Sequence, residues 1–161
     1  MNEALLQRLA TLEGESAVRR LMARYMDLCD VPRAAVHVSQ LAQLFTEDAV
    51  WEGVGRETAQ TFGQHRGREA VAAFVGGYLP PSDHFSLNLH YLTSESIVVD
   101  GNAAQGQWIM QQISTYADGR NELFGTRLNI DFRCVDGTWL IAHFRTQRLF
   151  NTDLNKKELG A

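Results

Sequence analysis

Cysteine is scarce in this chain. Cys29 and Cys134 are the only two among 161 residues. Two thiols cannot build a zinc site of several thiolates, and they make a disulfide framework a poor reading. Positive charge is outnumbered, with 15 Lys and Arg against 19 Asp and Glu and a net charge of −4. No basic block is present, which argues against a nucleic-acid partner, since such proteins neutralise phosphates. No apolar run approaches the ~20 residues that span a bilayer. The opening Met-Asn-Glu-Ala-Leu-Leu lacks the basic start and apolar run of a signal peptide. A cytoplasmic protein without a membrane partner is therefore expected. Repeats and low-complexity tracts are lacking too. So are a G-x-S-x-G elbow, a Walker loop and an H-E-x-x-H pair, and Gly53-Val54-Gly55 lacks the third glycine of a dinucleotide fingerprint. His84 and His90 lie six residues apart with no cysteine beside them, a poor metal pair.

What is present is an ordinary globular composition, 45% hydrophobic and 21% charged, at the size of one domain covering residues 1–161. The pattern changes near residue 82. Before it, the periodicity is helical. Leu5, Leu6, Leu9 and Leu12 mark a short amphipathic helix over 3–12 that Gly14 interrupts. Ser16 then offers an N-cap for a second helix reaching Asp30, with Val18, Leu21, Met22, Tyr25, Leu28 and Cys29 on one side. Pro32 stops it. Further helices are predicted over 36–46 and 68–78, with a strand over 49–52 and a glycine-marked loop between them.

After residue 82, Asp100-Gly101, Asp118-Gly119 and Asp136-Gly137 recur at equal intervals of 18 residues. Asp-Gly favours tight antiparallel hairpins. Four long strands follow, over 85–99, 103–116, 122–135 and 138–150. Straight strands of that length would reach ~50 Å at ~3.3 Å per residue. The sheet must therefore curl, with bulges expected near Gly106 and Gly125. The fold class is α+β: a cone-shaped barrel of strongly curved, mostly antiparallel sheet covered by the N-terminal helices. Its concave side would enclose an apolar cavity, a natural place for a small ligand.

Several polar groups point at that cavity. Tyr25 sits at the centre of an apolar helix face and serves either as core or as site. Asp30 falls ~140° around the helix from Tyr25 at ~100° per residue, so spacing alone reads it as a capping or solvated carboxylate at the helix end. His90 shares a strand face with Ser86 and Asn88, opposite Phe85, Leu87, Leu89 and Tyr91. His143 has Trp139 and Ile141 beside it and reads as packed. The expected lining is Trp51, Phe74, Tyr78, Trp108, Leu128, Ile130 and Phe150, bulky enough to favour an apolar, ring-containing ligand. Apolar residues on both faces of the last strand, Leu140, Ala142 and Phe144 against Trp139 and Ile141, predict a homo-oligomer, dimer or trimer. Residues 151–161 form either a lid or a tail.

Several stretches resemble the nuclear-transport-factor-2-like superfamily in its SnoaL-like branch. They are Leu41-x-x-Leu44-Phe45-Thr46-Glu47-Asp48-Ala49-Val50-Trp51, Gly67-Arg68-Glu69-Ala70-Val71-x-x-Phe74, His90-Tyr91-Leu92-Thr93 with Ile97 to Ala104, and Asp136-Gly137-Thr138-Trp139-Leu140-Ile141. Within it the chain looks most like scytalone dehydratase and bile acid 7α-dehydratase, and is similar to hexachlorocyclohexane dehydrochlorinase. The resemblance implies a dyad of Asp30 and His90 with Tyr25 as a third catalytic group. It also implies that Arg148 and Gln112 contact substrate, with Gln112 standing where the bile acid enzyme has an acid. The implied activity is elimination or isomerisation by proton abstraction from a small hydrophobic cyclic substrate, with neither metal nor organic cofactor. A non-catalytic binding or assembly module, and a ketosteroid isomerase or polyketide cyclase, are the alternatives on the same fold.

Overall fold

The computed structural model of the chain describes residues 2–33 and 37–156. Helix α1 (Glu3–Cys29) is continuous. The Asn2 side chain accepts from the Ala4 N–H at 2.9 Å and satisfies one free donor at its start. Gly14 does not break it. A Cβ at that position would lie 3.0 Å from Val99 Cγ1, so the glycine lets the helix cross the sheet closely. The stripe of Val18, Met22, Tyr25, Met26 and Cys29 is buried, whereas Leu5, Leu6, Leu9 and Leu12 stay exposed.

Helix α2 (Val38–Ala42) is shorter than the predicted 36–46, because Phe45 already begins strand β1 (Phe45–Gly53). The first predicted residue of that helix lies outside the described residues. The glycine-marked stretch holds a helix α3 (Arg56–Phe62) and a short strand β2 (Gln64–Arg66). Its glycines Gly55, Gly63 and Gly67 have positive φ at the element boundaries, which is why they read as loop. Helix α4 (Arg68–Gly76) follows.

Four long strands complete the chain: β3 (Phe85–Asp100), β4 (Ala103–Tyr116), β5 (Asn121–Val135) and β6 (Thr138–Asp153). The three Asp-Gly pairs all form hairpin turns. Only at Asp136-Gly137 do both residues take positive φ, 50° and 79°. The six strands make one sheet in the order β2-β1-β6-β5-β4-β3, with β1 parallel to β6 and every other pair antiparallel. The buried residues of α1, α2 and α4 pack on its concave face. This is the expected α+β architecture of a curved sheet under N-terminal helices. Among the described residues no helix is long and apolar enough to cross a membrane.

The curl has partly different causes from those expected. Gly106 keeps regular pairing with Ile97 and Ile130 and makes no bulge. Its missing side chain leaves room for the Trp108 ring, 2.3 Å from where a Cβ would stand. The break in β3 comes instead between Thr93 and Ser96, where Ser94 has φ 52°. Gly125 does sit at an irregularity. Gly125 pairs with Phe150 while Thr126 pairs with Arg148, so Leu149 is extra. A second shift, between Asp131 and Phe132, leaves Ala142 extra. Each extra residue inverts the alternation of β6. That is why Ile141 and Phe144 are both buried, and why His143 between them points the other way. Residues 151–153, expected within a lid or tail, continue β6 beside β5. The rest of that segment from 157 lies outside the described residues.

Candidate active site

Helix α1 ends at Cys29, and Asp30 is its C-cap, already extended with φ −73° and ψ 143°. The break in helical geometry frees Asp30 from the position its helical spacing gave it. Val31 then forms a two-way bridge with Asn88 of β3, at 2.8 and 2.9 Å. This bridge carries the Asp30 carboxylate alongside His90. Asp30 Oδ1 accepts from the His90 backbone N–H at 3.0 Å and lies 2.8 Å from His90 Nδ1. One carboxylate oxygen therefore fixes both the strand and the ring. The His90 side chain is 10% exposed and that of Asp30 33%. With Nδ1–H donated to a carboxylate, the remaining nitrogen, Nε2, is the basic one. Among the described residues it has no hydrogen-bond partner, and His90 lines the cavity.

That cavity has a volume of about 340 Å³. It is not closed all round, since the exposed residues Thr61, His84 and Arg120 stand at its mouth. Its walls include Tyr25, Trp51, Phe74, Tyr78, Gln112, Leu128 and Arg148, all named by sequence reasoning. Tyr25 is buried, and its hydroxyl accepts from Trp51 Nε1 at 3.2 Å, with the Cys29 thiol as its other polar neighbour. Burial pushes the Tyr25 hydroxyl well above the ordinary tyrosine range. It stays protonated throughout the neutral and mildly alkaline range. Trp51 is stacked on Phe144 at 5.5 Å and packs on Phe74 at 4.9 Å, which sets the indole where it can hold Tyr25.

Three residues expected in the lining are elsewhere. Trp108 is 2% exposed, packs edge-on to Phe132 and donates through its indole N–H to Glu95 at 3.3 Å. Ile130 is core on the strand beside it. Both point to the concave side, as parity requires, but belong to the packed core and not to the cavity wall. Phe150 is 48% exposed and its ring covers Gly125, because the extra Leu149 turns it outward. Asp30 stands behind His90 and not in the wall itself. His143 is engaged on both nitrogens, by Glu52 at 2.6 Å and by Arg145 at 2.7 Å, so it offers no free base.

Other wall residues escaped the sequence reading. Asn88 is buried and its Oδ1 accepts from Gln112 at 2.9 Å and from Ser114 at 2.7 Å. This network pins Gln112 in the wall. Phe124, Thr126, Tyr116 and Arg120 also line the cavity. The same two-residue alternation that named Leu128 would have named Phe124 and Thr126, had it been followed towards the hairpin end.

Cys29 lies one turn after Tyr25, and burial raises its thiol from near 9 to about 12. An unfolded thiol ionises near pH 8.5. Between these values the folded chain holds a proton that the unfolded chain has lost. Stability from Cys29 is thus full below about pH 8.5 and falls as pH rises towards 12. Tyr25 adds to the fall above about pH 10. Urea midpoints measured from pH 8 to 11 should therefore decline, and Cys29→Ala should flatten the decline. An equal slope in both chains would refute this origin.

Residues 10–145 match the SnoaL-like domain. The chain belongs to the SnoaL-like domain family. No curated protein matches it in sequence. Among solved structures it is similar to a candidate scytalone dehydratase from Novosphingobium aromaticivorans DSM 12444, at 21% identity and a TM-score of 0.74 over 91% of each chain. It is also similar to hexachlorocyclohexane dehydrochlorinase type 3 from Novosphingobium barchaimii LL02, at 18% identity and 0.74 over 97% of this chain and 98% of that one. A third likeness is to a nuclear-transport-factor-2-like protein with a cystatin-like fold from Novosphingobium aromaticivorans, at 22% identity and 0.66 over 90% and 88%. At such identities these likenesses establish the fold alone.

Proposed function

We propose that this SnoaL-like protein is a cofactor-independent lyase-type enzyme, a dehydratase or related eliminase or isomerase. Its substrate is an apolar, ring-containing molecule with an acidic C–H beside a carbonyl. The observation that carries this reading is the 2.8 Å contact between Asp30 Oδ1 and His90 Nδ1 in the wall of a ligand-sized cavity. Asp30 holds the tautomer and stabilises the imidazolium as it forms. His90 Nε2 takes the C–H proton, and the electron pair passes to an enolate. The neutral Tyr25 hydroxyl donates to the carbonyl oxygen as charge develops there. The imidazolium then returns its proton to the β-hydroxyl, which leaves as water as the C=C bond forms. Tyr25 suits the donor role better than proton delivery, because burial disfavours its anion.

Two features favour this over the alternatives on the same fold. A ketosteroid-isomerase-type reaction uses a carboxylate base, and no Asp or Glu lines this cavity among the described residues. A purely binding module gains nothing from holding a half-buried carboxylate against a histidine whose second nitrogen is free. Proton abstraction can be watched without knowing the leaving group. Incubation with cyclic ketones and cyclic β-hydroxy ketones in deuterium oxide should give enzyme-dependent α-deuteration or enone formation, followed by NMR. A panel of one-, two- and four-ring ketones showing neither would favour the binding module.

A further inference from the structure

The charge of the cavity wall is one-sided. Arg148 and Arg120 both line it, and no carboxylate does among the described residues. The Arg148 guanidinium stacks over the Phe124 ring at 4.8 Å, and that of Arg120 over Tyr116 at 4.3 Å. Arg120 is tied to Asp118 at 2.8 Å on the exposed rim. Arg148 is different. It is half-buried, its backbone N–H is bonded to Thr58 Oγ1 at 3.0 Å, and its guanidinium makes no hydrogen bond or ion pair among the described residues. Glu122 lies near Tyr116 and Arg120 at the same rim, so together with Asp118 it offsets the Arg120 charge and leaves that of Arg148 uncompensated among the described residues. The Arg148 guanidinium keeps its N–H groups open to solvent at the cavity, and so available to a ligand's acceptor atoms. The Phe124 face holds it by cation–π attraction and leaves its N–H edge for a ligand.

Register places this group relative to the base. His90 pairs with Gln112, Gln112 with Phe124, and Arg148 with Thr126, the next inward residue of β5. Arg148 is thus three strands from His90, across the full width of the cavity, each step being ~4.8 Å before curvature. Between them the wall offers Gln112, whose amide N–H₂ is taken by Asn88 and Ser114, and the faces of Phe124 and Tyr116. We infer that the substrate is an anionic ring compound, whose carboxylate is received by the Arg148 guanidinium, with Arg120 beside it, while its reacting carbon lies at His90. Planar guanidinium and carboxylate meet by two parallel hydrogen bonds, which would also fix the ring in one orientation. This rests on the lyase reading for the reacting end only. The anion site stands on its own geometry and is tested by binding, without turnover.

The probes are 2-naphthoate and its neutral isostere 2-naphthamide, titrated against the full chain with calorimetry or with Trp51 emission as the readout. The wild type should bind the acid about ten- to a hundredfold more tightly than the amide, the worth of a charge-assisted pair. Arg148→Gln should remove most of that preference while keeping affinity for the amide. Arg120→Gln should reduce it by a few-fold. His90→Ala should keep the preference intact, so loss of chemistry and loss of the anion site are separable. Equal affinity for acid and amide in the wild type would overturn the inference. So would a preference that survives Arg148→Gln, or naphthoate that fails to bind at millimolar concentration. A lack of α-deuteration with an intact acid preference would refute the lyase reading and leave the anion site standing.

Discussion

Replacing His90 by alanine is expected to lower turnover of a cyclic β-hydroxy ketone by about 10²–10⁴-fold, the usual share of a positioned general base. The fold should survive the change. The His90 backbone N–H keeps its bond to Asp30 Oδ1, and the Val31–Asn88 bridge does not involve the ring. Asp30 is open enough to water, at 33%, to tolerate loss of its partner. Asp30→Asn should cost a comparable factor for another reason. A neutral amide no longer stabilises the imidazolium, and its N–H₂ can turn towards Nδ1 and select the wrong tautomer. The two residues act as a unit, so the double variant should be little slower than the worse single one. Steady-state kinetics on the four chains, with thermal melts alongside, checks this. His90→Ala with wild-type kcat would refute the dyad outright. Strict additivity of the two losses would mean that Asp30 and His90 work independently.

Trp108→Ala should be the most damaging single truncation described here, with a loss of about 3–5 kcal/mol in unfolding free energy. The ring is fully packed, fits the notch left by Gly106 and packs against Phe132. Its N–H also reaches Glu95, which binds Arg19 of α1 at 2.6 Å, so the truncation loosens the helix–sheet joint as well. Ligand affinity should hardly change in whatever fraction stays folded, because the residue does not touch the cavity. Urea unfolding gives the first quantity and naphthoate titration the second. A stability loss under 1 kcal/mol, or a tenfold loss of affinity at unchanged stability, would return Trp108 to the binding wall.

The contrast between Trp108 and Phe124 explains how far the sequence could be read. Asp-Gly spacing gave four strands with nearly the observed ends, and two-residue alternation told which face each side chain takes. Parity does not tell the level along a strand. Trp108, Ile130, Phe124 and Thr126 all point inward, but only the last two lie where the helices leave space. Nor does parity survive an extra residue. Leu149 turned Phe150 outward, and Ala142 placed both Ile141 and Phe144 in the core. Neither bulge carries a glycine in β6 to announce it. Asp30 was obscured by the opposite problem. Helical spacing carries Asp30 one residue too far, whereas the chain is already extended at that residue. The resemblance to dehydratases supplied the pairing with His90 that spacing alone could not.

The double acceptance by Asp30 has a consequence for motion. The same oxygen that orients the imidazole also closes the His90 amide, and the neighbouring Val31–Asn88 rung ties the end of α1 to the sheet edge. Breathing of that helix end cannot leave the base untouched, since both contacts open together. The His90 amide proton therefore acts as a built-in gauge. Its protection against solvent exchange measures the fraction of time the base is cocked, in the resting protein and before any substrate is known.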